Sequence, residues 1–241
     1  MIRFLKAVCG LFSFIFILMI LFGCKYPNDI TNEEYEIHII DEENKKIAVG
    51  NIKYKPANGV AFIPYSINGY TVSCISTPDP IRVTNNLHNL FITRIYLPAT
   101  IERLGYYYIN VGSSINIVVF FCNKPIDLFQ LYRDYDSKYI KIYVPSEYYD
   151  GYKEINKHRN IYKANVCYYF NLEENDYYYI DYYEENSFIE FIPPNPVKEG
   201  YVFEGWYKEK ECLNKWDFES DFVKLEENSN EIKLYAKWRV K

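Results

Sequence analysis

Three stretches decide the fold: FIPYSINGYTVSCI (62–75), IYLPATIERLG (95–105) and IYVPSEYYDGYK (142–153). Each holds a short apolar run that ends in a proline, at Pro64, Pro98 and Pro145. Proline has no N–H to give to a ladder, so each strand stops there and the chain turns away to build the next rung. The intervals between the prolines are unequal, which predicts an irregular array. A fourth stretch, INIVVFFCNKPIDL (115–128), reads as one more rung followed by a Pro-containing turn.

Upstream, Tyr35, Ile37 and Ile39 alternate with Glu36 and His38, the pattern of a half-buried strand. The turn DEENKK follows, then a second run around Ile47–Tyr54. Asn58-Gly59 and Asn68-Gly69 are turn signals on either side of VAFIPYSI, and YTVSCI comes after them. Short strands and turns at this density predict a mainly β repeat architecture. Downstream, Ser146–Arg159 reads as a terminal helix with Ser146 as N-cap and Glu147 in the first turn, weakened by Gly151.

The rung segments resemble leucine-rich repeats of the BspA type. The opening rung matches from Ile63 to Ile75, a middle rung at Leu97, Pro98, Ile101, Leu104 and Gly105, and the closing rung at Ile142–Pro145 and Tyr152-Lys153. The resemblance covers residues 35–163. It implies rungs that bury Ile, Leu and Val against one another, with capped ends.

The C-terminal part carries a different pattern. PPNP fixes an extended entry. Gly200 and Gly205 bracket Tyr201–Phe203 and suit tight turns or close backbone approach. Pro194, Pro196, Lys198–Tyr201, Phe203, Gly205-Trp206-Tyr207, Trp216-Asp217-Phe218 and Leu234–Trp238 together resemble the internalin-type B-repeat, or Listeria–Bacteroides repeat. That resemblance implies a small β-grasp-like module over residues 164–241. Its early segment, Asn171–Glu185, is rich in Tyr and Glu where the family has a Gly-rich turn, so the first hairpin is not expected from the pattern. The expected fold class is therefore mainly β, a short irregular leucine-rich-repeat array followed by a small β-grasp-like module.

Residues 1–24, MIRFLKAVCGLFSFIFILMILFGC, resemble the signal peptide of a bacterial lipoprotein. Arg3 and Lys6 precede an uncharged run from Ala7 to Phe22, and polar residues follow Cys24. Leu21, Gly23 and Cys24 match the lipobox. The resemblance implies removal of residues 1–23 by cleavage between Gly23 and Cys24, lipidation of the Cys24 thiol and a tether over 24–34. Two or three acyl chains hold a protein stably, because each buried methylene contributes about 0.8 kcal/mol. The alternative, a transmembrane helix, needs about 20 apolar residues, and this run is shorter.

The chain has 241 residues, 27 Lys and Arg against 32 Asp and Glu, and a net charge of −5. An acidic balance argues against nucleic acid as a partner, since phosphate binding needs clustered cations. Of six cysteines, Cys74, Cys122, Cys167 and Cys212 follow the expected cleavage point. They are widely spaced with no CxxC and no His at ligand spacing, so no metal site is expected. Disulfides and separate buried thiols both remain open.

No catalytic constellation is present. His38, His88 and His158 are scattered, and no GxSxG, P-loop or GxGxxG occurs. The acidic pairs Glu173-Glu174, Glu184-Glu185 and Glu226-Glu227 read as solvated surface, since strand neighbours point to opposite faces. No cofactor is expected. The remaining candidates are aromatic. There are 27 Tyr, many in runs such as Tyr106–Tyr108 and Tyr177–Tyr179, where at least one ring of each run should face outward. Tyr107, Tyr178, Trp206 and Trp216 are the candidate binding rings, with core packing as the competing reading. The expectation is a lipid-anchored, extracytoplasmic envelope protein at the cell surface. It would bind host protein, another cell or a glycan and catalyse nothing. A carbohydrate-binding lipoprotein and an envelope hydrolase are the alternatives.

Overall fold

Alternation builds the first hairpin. Strands β1 (Tyr35–Asp41) and β2 (Lys46–Ile52) pair antiparallel, with Ile37 opposite Val49 and Ile39 opposite Ile47. This computed structural model describes residues 32–75, 92–104, 118–121, 123–128, 140–172 and 176–241. Among them follow β3 (Val60–Phe62), β4 (Ser66–Ile67), β5 (Tyr70–Ile75), β6 (Arg94–Leu97), β7 (Arg103–Leu104), β8 (Val118–Phe121) and β9 (Lys141–Val144). Then come helix α1 (Tyr149–Ile155) and strands β10 (Asn160–Lys163), β11 (Val166–Tyr169), β12 (Tyr177–Asp181), β13 (Tyr201–Tyr207) and β14 (Ile232–Val240). The protein is mainly β, as the sequence predicts.

The first sheet runs β1-β2-β5-β4, with β7 also paired to β5. Asn68 and Gly69 supply the two-residue turn between β4 and β5, both at positive φ (52° and 82°). Asn and Gly tolerate that geometry where most residues do not.

The second sheet is a parallel ladder in strict chain order, β3-β6-β8-β9-β10. Each strand adds beside its predecessor, and the prolines fall where expected, one residue beyond Ile63, Leu97 and Val144. One face carries the register row Ala61, Ile95, Val119, Ile142 and Ile161, all buried. The other face carries a row of rings: Phe62, Tyr96, Phe120, Tyr143 and Tyr162. Successive centroids lie 4.1, 4.5, 5.2 and 5.4 Å apart, so the row is stacked side by side across five strands.

The terminal helix is shorter than expected. A 3-10 turn over Ser146–Tyr148 leads into α1, which stops at Ile155 rather than Arg159. Ser146 is not the N-cap. Pro145 occupies that position, and the Ser146 hydroxyl donates to the Ala164 carbonyl instead (3.4 Å). Gly151 has a packing reason: a Cβ there would lie 2.7 Å from Cγ of Pro125. Gly151→Ala should therefore destabilise the chain. Overpacking costs about 1–3 kcal/mol against a helix-propensity gain of about 1 kcal/mol. A urea titration checks it, and a stabilised variant would refute the close approach.

The third sheet runs β12-β11-β14-β13, with β11 and β14 parallel and the other pairs antiparallel. The β11–β12 hairpin forms without a Gly-rich turn. Phe170 N–H donates to the Asp176 carbonyl (2.9 Å), and the Asn171 amide bonds the Asp176 carboxylate. Gly205, at φ 132°, sits where the β13–β14 register slips.

Thr31–Lys241 forms one compact unit, and a hydrophobic core runs continuously between the ladder and the third sheet. β12 lies over the ring row. Tyr179 meets Phe62 edge-on at 5.4 Å and donates to the Ile63 carbonyl, while Tyr182 stacks on Tyr143 at 5.0 Å. The face that a β repeat would leave open is largely covered by the chain's own C-terminal strands.

Candidate functional site

The structure moves most of the sequence-predicted rings out of contention. Tyr178 is 4% exposed, Trp206 2% and Trp216 6%. These three are corrected from candidate binding rings to core. Trp206 is enclosed by Tyr168 at 5.0 Å, Phe203 at 5.2 Å and Tyr178 at 6.0 Å. Trp216 packs beside Phe218, with the Lys208 ammonium 5.5 Å from its ring. Adjacent residues on β12 do point to opposite faces, but both faces are covered. Tyr107, Gly23 and Cys24 lie outside the described residues.

Cys74, Cys167 and Cys212 are buried, and Cys122 lies outside the described residues. Burial raises the thiol pKa of Cys74, which makes it a poor nucleophile. His38 sits beside Glu36 (3.3 Å), His158 is exposed and His88 lies outside the described residues. Among the described residues no three His, Cys, Asp or Glu side chains gather as a metal site would require. None of their helices is long and apolar enough to cross a membrane.

One polar group sits at the junction of ladder and third sheet, and sequence reasoning missed it. Asp181, at the end of β12, is fully buried. Its carboxylate accepts from the Tyr96 hydroxyl (2.7 Å) and from the Tyr182 N–H (2.7 Å), and the Arg94 guanidinium is 3.8 Å away. The guanidinium is held over Phe120 and Phe191, 4.9 Å from each centroid. Burial pushes the Asp181 carboxyl up to about 7, against the pull of Arg94 and Tyr96. The available signal was an acid closing a run of rings, YYYIDYY. Its surroundings tie two sheets together and leave no room for a substrate.

The described residues line a cleft and a groove on the surface. A cleft of about 630 Å³ in the third-sheet module mixes Lys208, Lys224 and Lys233 with Glu209, Glu226 and Glu231. Its charges neutralise one another: Lys208 pairs with Asp221 (2.6 Å) and Lys233 with Glu231 (3.4 Å). A groove of about 390 Å³ runs along β10 at the end of the ladder, between the strand and α1. Lys153, Arg159 and Lys163 line it with no acid among the described lining residues, and Tyr149 and Tyr162 supply its rings. Tyr162, the last of the ring row, is 41% exposed.

The antiparallel β13–β14 pair, with Trp206 and Trp238 on it, belongs to a recognisable module. Residues 169–237 match the Listeria–Bacteroides repeat domain. The repeat spans β12 to β14 and most of the core that holds the tryptophans. A protein of Evansella cellulosilytica described as a Gly-rich membrane protein is 40% identical over 55 residues, which is 23% of this chain and 6% of that protein. A second protein of that organism, also described as a membrane protein, is 42% identical over 48 residues, 20% of this chain and 6% of its own length. Internalin H of Listeria monocytogenes is 44% identical over 48 residues, 20% of this chain and 8% of its own length. The chain thus spans less than a tenth of the curated relatives it matches.

Proposed function

We propose that this chain is an envelope protein, lipid-anchored through Cys24, that faces outward and binds another protein or cell without catalysing a reaction. The observation that carries this reading is the match of residues 169–237 to the Listeria–Bacteroides repeat, beside the partial similarity to internalin H and to two proteins described as membrane proteins. Three further features support it. The apolar run before Cys24 suits a cleaved leader. Five parallel strands in chain order, three of them followed by proline at Pro64, Pro98 and Pro145, suit a leucine-rich-repeat array over residues 35–163. The polar start at 24–34 suits a tether, with the repeat module as the last segment, 164–241. Protein contact is preferred over sugar stacking because Trp206 and Trp216 are in the core.

Protease shaving of intact cells tests this, with a periplasmic marker as control. Wild type should be digested while the marker survives, and Cys24→Ala should be shed into the medium or stay unprocessed. Protection of the wild-type protein in intact cells would refute an outward-facing binder.

A further inference from the structure

The geometry points to the open edge of β10 as a docking site for an extended, acidic segment of a partner protein, added as one more strand of the ladder. This rests on the binding reading above and names the surface and the partner chemistry. Among the described strands β10 ends the ladder, with β9 on one side. The Ala164 N–H donates to the Val144 carbonyl of β9 (2.9 Å). Backbone polar groups alternate sides along a strand, so those of Tyr162 also face β9 and those of Ile161 and Lys163 face away. The Ile161 N–H turns back to the Arg159 carbonyl (3.1 Å). The outward groups on offer are then the Ile161 carbonyl and the N–H and carbonyl of Lys163. An exposed row of this kind is what an added strand pairs with.

The side chains beside that edge set the sequence of the guest. On one face, Tyr162 ends the ring row with its outer side open. A ring or apolar side chain opposite it would extend a stack that already crosses five strands. Lys163, the next residue along the strand, belongs to the opposite face, and Lys153, Arg159 and Lys163 line the groove together with Tyr162, in a chain whose net charge is −5. Lys163 stands over Tyr149 at 5.1 Å. An edge lysine repels neutral and basic strands, which must desolvate it, and admits an acidic one that pairs it. The period of two therefore asks for acid and aromatic in alternation. The cleft in the repeat module makes a weaker demand, because Lys208 and Lys233 already have carboxylate partners.

The test uses the full chain in detergent and a fluorescein-labelled nonapeptide alternating Glu and Tyr, read by anisotropy. Binding should weaken about tenfold or more in a Lys153→Glu/Lys163→Glu double variant, and again in Tyr162→Ala. All three positions are at least partly exposed, so the fold should persist, and a thermal melt checks it. A peptide alternating Lys and Tyr should bind about tenfold more weakly. A Glu–Tyr peptide N-methylated at alternate amides, matched to the pairing edge, should not bind. Equal binding of the N-methylated peptide, or full displacement by heparin without loss in Tyr162→Ala, would reduce the site to an anion patch and overturn strand addition. Equal binding of the Lys peptide, or no binding of the Glu peptide at millimolar concentration, would also overturn it. The assay uses purified protein, so its outcome is separate from where the protein sits in the envelope.

Discussion

Trp206→Ala should lower the stability of the chain by about 3–5 kcal/mol, the cost of deleting a buried indole whose surroundings relax only in part. The pocket it would leave is lined by rigid rings, Tyr168, Phe203 and Tyr178, on three strands that cannot easily collapse inward. A ligand-facing Trp predicts the opposite split: stability kept and binding lost. Urea denaturation followed by far-UV dichroism separates the two, and a loss below about 1 kcal/mol would refute the core assignment. Trp206→Phe sharpens the test. The indole N–H is buried with no hydrogen-bond partner among the described residues, and an unpaired buried donor costs about 1–3 kcal/mol. Phe removes that donor while keeping one ring in the pocket. Its loss should therefore be well under half that of Ala.

The ladder was legible because its determinants are local. Pro64, Pro98 and Pro145 stop strands by removing a donor, Asn68-Gly69 makes a turn at positive φ, and Tyr35–Ile39 alternates. Each of these acts within a few residues. The repeat module was legible through Gly205-Trp206 and Leu234–Trp238, residues that are paired directly in the β13–β14 register. The β11–β12 hairpin was not, because its closure uses Asn171 and Asp176, a contact no turn motif encodes.

The candidate rings failed for a different reason. Period-two reasoning says that Tyr178 and Tyr179 point to opposite faces, and they do. It does not say whether either face meets water. Tyr179 meets Phe62 from 117 residues earlier in the chain, and Tyr178 meets Trp206. Burial of both faces of β12 depends on how the ladder and the third sheet pack, which no window of sequence contains. Asp181 was hidden by the same packing. Flanked by tyrosines, it reads as the polar end of a strand until Arg94 and Tyr96 arrive from β6.

That packing should make stability depend on pH through Asp181. In the fold, burial raises its carboxyl to about 7 from an ordinary value of 3.8. Between those values the folded chain holds a proton that the unfolded chain has lost. Unfolding then releases a proton, so stability falls as pH rises through about 4 to 7 and levels off above it. Each unit of the window is worth about 1.4 kcal/mol at most, so the whole effect approaches roughly 4 kcal/mol. Asp181→Asn imitates the protonated carboxyl: its amide oxygen can accept from the Tyr182 N–H while its NH2 donates to the Tyr96 hydroxyl oxygen, and no charge is buried. Arg94 is not stranded by the change, since it is partly exposed and stays stacked on Phe120 and Phe191. Wild type and variant should therefore be similar at pH 4, and the variant should gain steadily up to pH 8. Asp41 and Asp217, whose hydrogen bonds hold their carboxyls below the usual range, bias both proteins alike and cancel in the difference. Urea melts at four pH values measure that difference. A variant that loses stability as pH rises would show that the Arg94 pair outweighs burial at this junction, and that the carboxylate is charged where ladder and repeat module meet.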